Sequence, residues 1–239
     1  MEYLDLTLPT PEENLALDEA LLEEAEARNG PEVLRFWEPR QLFVVLGYGK
    51  RAAEEVFVDA CQKDGVGIFR RPSGGGTVLQ GPGCLNYALV LDMSARPELR
   101  NLTEANQGIM TRHSDALKNL APAVNPRGIT DLAIGDQKFM GNAQRRKRRF
   151  LLFHGCFLLS LLPESMEKYL RVPADRPDYR NGRSHRDFVT HFPASAEQIR
   201  QTLRSAWNAG SPYVPKIPLP AVQTLVREKY SRADWNLKY

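Results

Sequence analysis

Arg70-Arg71-Pro72-Ser73-Gly74-Gly75-Gly76-Thr77-Val78 is the densest run of chemistry in the chain. Three consecutive glycines leave backbone N–H groups uncovered by side chains, and a phosphate or carboxylate can approach such a surface closely. The two arginines before them can fix an anion through paired N–H donors. A flexible turn with two solvated arginines would use the same residues. No Gly-Lys-Ser/Thr follows, so the run is not a P-loop.

A second block is Thr130-Asp131-Leu132-Ala133-Ile134-Gly135-Asp136-Gln137-Lys138-Phe139-Met140-Gly141-Asn142-Ala143. If Gly135-Asp136 is a two-residue hairpin turn, Ala133 pairs with Lys138 and Leu132 with Phe139. Asp131, Ala133, Lys138 and Met140 then share a face, with the acid and the base about 7–8 Å apart. Two such groups can grip one charged substrate; a one-residue slip would send Lys138 to the other face. His154-Gly155-Cys156 lies in a strongly apolar run. A buried histidine there is more often a hydrogen-bonded core residue than a ligand, although the adjacent glycine suits a close approach. The four histidines are scattered, and none has metal-ligand spacing. Arg145-Arg146-Lys147-Arg148-Arg149 reads for the most part as a solvated turn, with an anionic partner as the functional alternative. Gly47-Tyr48-Gly49-Lys50-Arg51-Ala52 comes close to a dinucleotide fingerprint. A Gly-rich strand returns soon after it, so a nicotinamide-linked oxidoreductase stays a remote alternative.

The elements that must position these residues are legible in outline. Thr10, Pro11 and Glu13 form the capping signature of a helix that stops at Asn29-Gly30. Strands are expected over 33–37, 42–46, 66–70, 76–80 and 85–91, with a helix over 52–64 between two of them. A longer helix follows over 102–120. A hairpin is expected from 129–134 and 137–144, and a third strand over 150–159. Ser195 and Gln198 cap a helix to about 207, and 220–230 reads as a last helix. Residues 171–193 are polar, basic and long enough to be a functional loop. The grouping of strands predicts an α+β fold, a mixed, largely antiparallel sheet flanked by helices, in one domain over 1–239.

Composition closes off several classes. The chain has 239 residues, 32 Lys plus Arg against 29 Asp plus Glu, and a formal charge of +3. That excess does not argue for nucleic acid. Three cysteines without a CxxC pair exclude a disulfide framework. No signal peptide or membrane span is visible, so a cytoplasmic protein is expected, with a monomer as a plausible state.

Together the motifs resemble the lipoate-protein ligase family of the biotin/lipoate ligase and transferase superfamily. The carrying residues are 70–78, Gly83-x-Leu85-Asn86-Tyr87, Asp131…Lys138…Gly141-x-Ala143, His154-Gly155 and the opening Asn14-Leu-Ala-Leu-Asp18-Glu19-Ala20. The resemblance runs from residue 14 to Trp235. It implies a sheet that cradles an acyl group in an apolar slot, with Lys138 as the catalytic lysine. It implies that Arg71, Ser73, Gly74, Gly75, Gly76, Thr77, Val78, Asn86, Gly141, Asn142, Ala143, Arg145, His154 and Gly155 hold substrate or nucleotide. Asp131 would stand near the phosphate or a magnesium ion. The implied reaction activates lipoate with ATP and Mg²⁺ to lipoyl-AMP, then forms an amide with a lysine of a lipoyl carrier domain. The alternative on the same scaffold is an ATP-independent octanoyl or lipoyl transferase that takes a thioester donor. Biotin ligase fits less well, because that branch has a different Gly-rich signature.

Some residues depart from the pattern. Gln80-Gly81 and Gly83-Cys84 replace His-Asp and Gly-Asn, near the nucleotide in the family. Some transferases carry a nucleophilic cysteine before the hairpin, and 125–130 has none. Many ligases add an accessory domain; here a separate protein supplies it, or the enzyme works without it. Lipoyl carriers of this family are acidic around the target lysine, so Arg148 and Arg149 would steer the encounter while Arg145 touches the phosphate.

Overall fold

The computed structural model describes all 239 residues. A short strand, β1 (Glu2–Asp5), leads into helix α1 (Pro11–Arg28). The Thr10 hydroxyl accepts from the Glu13 amide, and the Glu13 carboxylate accepts from the Thr10 amide at 2.9 Å. Asn29 ends the helix in a left-handed conformation, φ 52°. Strands β2 (Val33–Trp37) and β3 (Phe43–Leu46) follow. The helix expected over 52–64 is split into α2 (Ala52–Glu55) and α3 (Val58–Asp64). Val56 is drawn into a bridge with Leu170, and the Phe57 amide donates to the Tyr169 carbonyl. Tertiary hydrogen bonds override local propensity at that point.

Strand β4 (Gly67–Arg70) lies parallel to β3, and β5 (Val78–Gln80) lies antiparallel on its other side. These three strands make a small sheet with the glycine run bridging β4 and β5. The chain then adds β6 (Cys84–Asp92), α4 (Leu102–Leu117), β7 (Val124–Arg127), β8 (Asp131–Ile134), β9 (Gln137–Arg146) and β10 (Phe150–Leu158). Helices α5 (Pro163–Tyr169), α6 (His185–Phe188) and α7 (Ala196–Ala206) precede β11 (Ser211–Pro212). The helix expected over 220–230 is α8 (Leu219–Leu225) continued by a wide π-turn, in which the Ser231 amide reaches the Val226 carbonyl at 2.9 Å. A last turn of helix is α9 (Ala233–Asn236).

The large sheet runs β11-β1-β2-β6-β10-β9-β8-β7 and is antiparallel except where β1 meets its neighbours. The strands expected around 33–37 and 150–159 are there; β1 and β7 were not expected. One face buries Leu89 and Phe153 against Ile109 of α4 and Leu203 of α7. The other buries Ala88 and Leu152 against Leu17 and Leu21 of α1. A third cluster joins Val44 and Leu46 of the small sheet to Cys61 of α3 and Met166 of α5.

The hairpin register differs from the simple expectation. Ala133 pairs with Lys138 as expected, but Leu132 pairs with Met140 and Asp131 with Gly141, so Phe139 is an extra residue in a bulge. Phe139 is fully buried and stacks on Phe192 at 4.7 Å between ring centroids. Burying a phenylalanine stabilises by about 1.5–3 kcal/mol, more than the ~1 kcal/mol of a ladder hydrogen bond.

Arg70 is also corrected. Its side chain is buried, and Nη1 donates to the carbonyls of Gly47 (2.9 Å), Tyr48 (3.0 Å) and Lys50 (2.7 Å). Nε and Nη2 donate to the Trp235 and Asn236 carbonyls at 3.1 and 3.0 Å. The Trp235 indole donates back to the Arg70 carbonyl at 2.9 Å. Arg70 is therefore a clamp on the last turn of the chain, not an anion ligand. The same bonds fold the Gly47–Lys50 segment around a guanidinium, and no further parallel strand extends the small sheet. Both observations remove the dinucleotide reading. No helix is long and apolar enough to cross a membrane.

Candidate active site

A cavity of about 960 Å³ opens between the small sheet and the β8–β10 part of the large one. Its walls include Arg71, Gly75, Gly76, Thr77, Val78, Asn86, Asp131, Lys138, Gly141, Asn142, Ala143, His154 and Gly155, so most residues singled out from sequence meet here. A shallower groove along α4 contains none of them.

Lys138 and Asp131 stand together near the cavity rim. Lys138 Nζ is 2.7 Å from Asp131 Oδ1, a direct ion pair in place of the expected diagonal spacing. The bulge brings this about by setting Asp131 opposite Gly141. A Cβ on Gly141 would lie 2.7 Å from Lys138 Nζ, so glycine leaves the lysine room to fold across the strand. The Lys138 backbone is pinned as well, since its carbonyl accepts from the Thr190 amide at 2.9 Å. The Tyr179 hydroxyl donates to Asp131 Oδ2 at 2.8 Å. Burial and the Asp131 charge push that phenol well up. Both carboxylate oxygens of Asp131 are thus engaged. No group of three His, Cys, Asp or Glu side chains stands ready for a metal. With both oxygens held by protein donors, Asp131 does not fit the magnesium role expected of it.

The glycine run is held from inside. Arg71 Nη2 donates to the carbonyls of Gly74 and Gly76, both at 2.7 Å, and Nε donates to Gly74 at 3.2 Å. No backbone carbonyl accepts from the Gly74, Gly75 or Gly76 amides. Arg71 therefore orients the loop instead of gripping an anion with paired donors. Burial pushes its guanidinium down to about 10, so it stays charged at neutral pH beside the cavity. Ser73 and Gly74 are not in the cavity wall. Ser73 is buried, with Oγ 2.6 Å from His154 Nε2. Asp18 Oδ2 lies 3.9 Å from the other nitrogen, Nδ1. Burial alone would raise the Asp18 carboxyl, but the Arg35 charge and His154 hold it below its usual range. An Asp18–His154–Ser73 chain thus ties α1 to the start of the glycine run. Asp18 belongs to the motif at 14–20, but its role was not foreseen.

Asn142 is also redirected. Its Oδ1 accepts from the Tyr87 hydroxyl at 2.6 Å, and its Nδ2 donates to the Thr130 carbonyl at 2.7 Å. The side chain crosses Gly155, where a Cβ would sit 1.9 Å from Oδ1. Asn142 therefore fixes the segment that presents Asp131.

The basic run separates into distinct roles. Arg146 donates to the Leu99 and Arg100 carbonyls. Lys147 pairs with Glu23, and Arg149 with Asp92 at 2.7 Å. Arg145 is exposed and outside the cavity wall, although it shares the β9 face of Gly141 and Ala143. Arg148 is 94% exposed and only loosely near Glu26, at 4.0 Å. Lys147 and Arg149 are thus ion-paired, Arg146 is tied to backbone carbonyls, and only Arg145 and Arg148 fit the solvated turn expected for most of the run.

Residues 171–193 fold over the cavity as the long basic loop suggested. They supply Tyr179 and a buried guanidinium, Arg180, which makes no ion pair and leaves Nη2 without a partner. Four more buried polar atoms without partners belong to cavity-wall residues: Trp37 Nε1, Thr77 Oγ1, Gln80 Oε1 and Asn86 Nδ2. The slot is thus more polar than expected. Cys156 is the only cysteine in the wall, and its thiol is pushed well up by the Cys84 thiol beside it and by burial.

A mixed sheet facing a small glycine-loop sheet across a lysine-rimmed cavity is the arrangement of the biotin/lipoate ligase superfamily. Within it, the chain belongs to the lipoyl protein ligase A/B catalytic domain family, whose model matches residues 10–203. The octanoyltransferase LipM of Geobacillus kaustophilus is 28% identical over 99% of this chain and 97% of its own length. Subunit 1 of lipoate-protein ligase A from Thermoplasma acidophilum is 29% identical over 99% of this chain and 97% of its own. A Thermoplasma acidophilum structure, from work on a bipartite lipoate protein ligase and its E2 lipoyl domain, superposes with a TM-score of 0.81. It is 25% identical, over 99% of this chain and 96% of that one.

Proposed function

We propose that the chain is an acyltransferase that moves an octanoyl- or lipoyl-type group from a thioester donor onto a lysine of a lipoyl carrier domain. The observation that carries this is Lys138, held by Asp131 at 2.7 Å beside a deep cavity closed on one side by free glycine amides. The carrier amine attacks the acyl carbonyl, an amide C–N bond forms and the C–S bond breaks. The proton released by the amine goes to the departing thiolate. Lys138 stabilises the charge that develops on the carbonyl oxygen, and it is already in place when the substrate arrives. The thioester donor is favoured by the relatives named octanoyltransferase. Transfer here is direct: no cysteine lies at 125–130, and the Cys156 thiol is kept protonated.

A second reading, activation of lipoate by ATP, is favoured by the uncapped glycine amides, by the unpaired Arg180 guanidinium and by the Thermoplasma relative. Those donors suit a phosphate. The deciding experiment offers a purified lipoyl domain two reaction mixtures and reads its mass. One holds octanoyl-acyl carrier protein, the other lipoate, ATP and Mg²⁺. Modification in the first supports the transferase. Modification in the second alone, with or without a separately supplied accessory protein, overturns it in favour of the ligase. An unmodified domain in both would sink the two readings together.

A further inference from the structure

The glycine run is tied to the large sheet at one point. Arg71 holds it from the small-sheet side, through the carbonyls of Gly74 and Gly76 and through Val45 and Leu46 of β3. The Ser73 carbonyl accepts from the Tyr48 amide at 2.9 Å. The single hydrogen bond from residues 71–77 to the large sheet joins Ser73 Oγ to His154 Nε2 of β10, at 2.6 Å. Three glycines in a row have no side chains of their own to limit their movement. Whatever fixes their distance from the large sheet must therefore act through Ser73.

The sheet register shows what that distance decides. Arg35, Ala88, His154 and Ala143 are successive partners across β2, β6, β10 and β9, so they share one face. The small alanines on either side let the imidazole stand clear of the sheet and reach Ser73. Asp18 comes down on the same row, pairs with Arg35 and lies 3.9 Å from His154 Nδ1. A hydrogen on Nδ1 faces that carboxylate, which leaves Nε2 as acceptor and the Ser73 hydroxyl as donor. Gly75 lies over Ala143 of this row, where a Cβ on the glycine would be 3.7 Å from the alanine Cβ. Lys138 Nζ lies over Gly141, in the row formed with Asp131 and Cys156. The two rows are two residues apart on β9, roughly 7 Å. Glycine amides above one row and an ammonium above the next face a common gap, close to two hydrogen-bond lengths across.

We propose that Ser73 and His154 are positioning residues, which hold the free Gly75 and Gly76 amides opposite Lys138 so that both sides donate to the acyl carbonyl oxygen as it gains charge. Asp18 fixes the imidazole tautomer that accepts from Ser73. The inference rests on the acyl-transfer reading and gives the glycine amides of that site their task. Donors aimed at an oxyanion act in the transition state more than on the bound substrate, so their placement governs kcat more than KM.

The test is steady-state transfer to the lipoyl domain, in whichever of the two mixtures the wild type uses, with folding followed by thermal melting. Ser73→Ala and His154→Leu should each lower kcat by about 10–100-fold at nearly unchanged donor KM, the cost of displacing oxyanion donors by up to about 1 Å. The double variant should be no slower than the slower single one, because both changes break the same bond. His154→Gln can set an amide oxygen near the place of Nε2 and should recover most of the rate. Unchanged kcat in Ser73→Ala, losses that add in the double variant, glutamine no better than leucine, or a fall in rate that only follows a loss of folded protein would each overturn the proposal and leave the acyl-transfer reading standing. A wild type inactive in both mixtures would overturn that reading and the proposal with it.

Discussion

Lys138 shows how one side chain is aimed by several others. Asp131 pairs with it, Tyr179 fixes Asp131, and Gly141 leaves the space it crosses. Lys138→Ala should leave the melting temperature nearly unchanged and slow transfer to the lipoyl domain by about 10²–10³-fold, the usual cost of losing one oxyanion donor. Lys138→Arg should not restore the rate, because a planar fork replaces a compact charge. Near wild-type turnover in the alanine variant would remove Lys138 from the mechanism. Gly141→Ala is a subtler probe. The added methyl would clash with the flexible end of Lys138 and lie in ordinary contact with Asp131 Oδ1, so the fold should survive while the lysine moves. Turnover should fall by up to about 10²-fold, typical of a misplacement near 1 Å, with little change in KM for the carrier. Unaltered turnover would show that the lysine needs no such gap.

At the scale of elements, α4 and α7 meet through His113 and Trp207. The Trp207 indole donates to His113 Nε2 at 2.8 Å, and His113 is completely buried. Burial, with the nearby Arg112, pushes His113 down to about 3. The unfolded chain, with a value of about 6.5, therefore binds this proton first as the pH falls. This contribution to stability is complete above about pH 6.5 and is lost progressively towards pH 3. Between pH 7 and 5 it amounts to about 2 kcal/mol. Chemical denaturation should show His113→Gln losing that much less than the wild type over the same interval. Parallel pH profiles would contradict it. What was legible in the sequence follows the same division between local and distant causes. The capping boxes at Thr10 and Ser195 were readable because every partner lies within three residues. The break at Val56 was not, because its cause is Leu170. Lys138 and Asp131 could be paired from hairpin logic, but the bulge that brings them into contact depends on Phe192, more than fifty residues away. Trp37, Asp18 and Tyr179 acquire their meaning only in three dimensions.

For the whole molecule, the surface charge is less available than its sequence suggests. Arg148→Glu should slow carrier modification at low ionic strength only, since screening acts over roughly 8–10 Å at physiological salt. Arg149→Glu should instead lower the melting temperature by several degrees, because it places an acid against Asp92. Equal kinetic effects of both, with no loss of stability, would restore the steering role to the whole run. The other long-range device is the Arg70 clamp. Trp235 and Asn236 buttress the strand that enters the glycine run, and Lys229 and Tyr230 bind Glu19 of the first helix. During synthesis those partners emerge from the ribosome some 165 residues after Arg70. At about 5–20 residues per second, that is a wait of roughly ten to thirty seconds. Throughout it Arg70 lacks two of the carbonyls that will hold it, so the nascent chain is born with its glycine run unset. The glycine-run side of the cleft is therefore set only once Trp235 and Asn236 have been made.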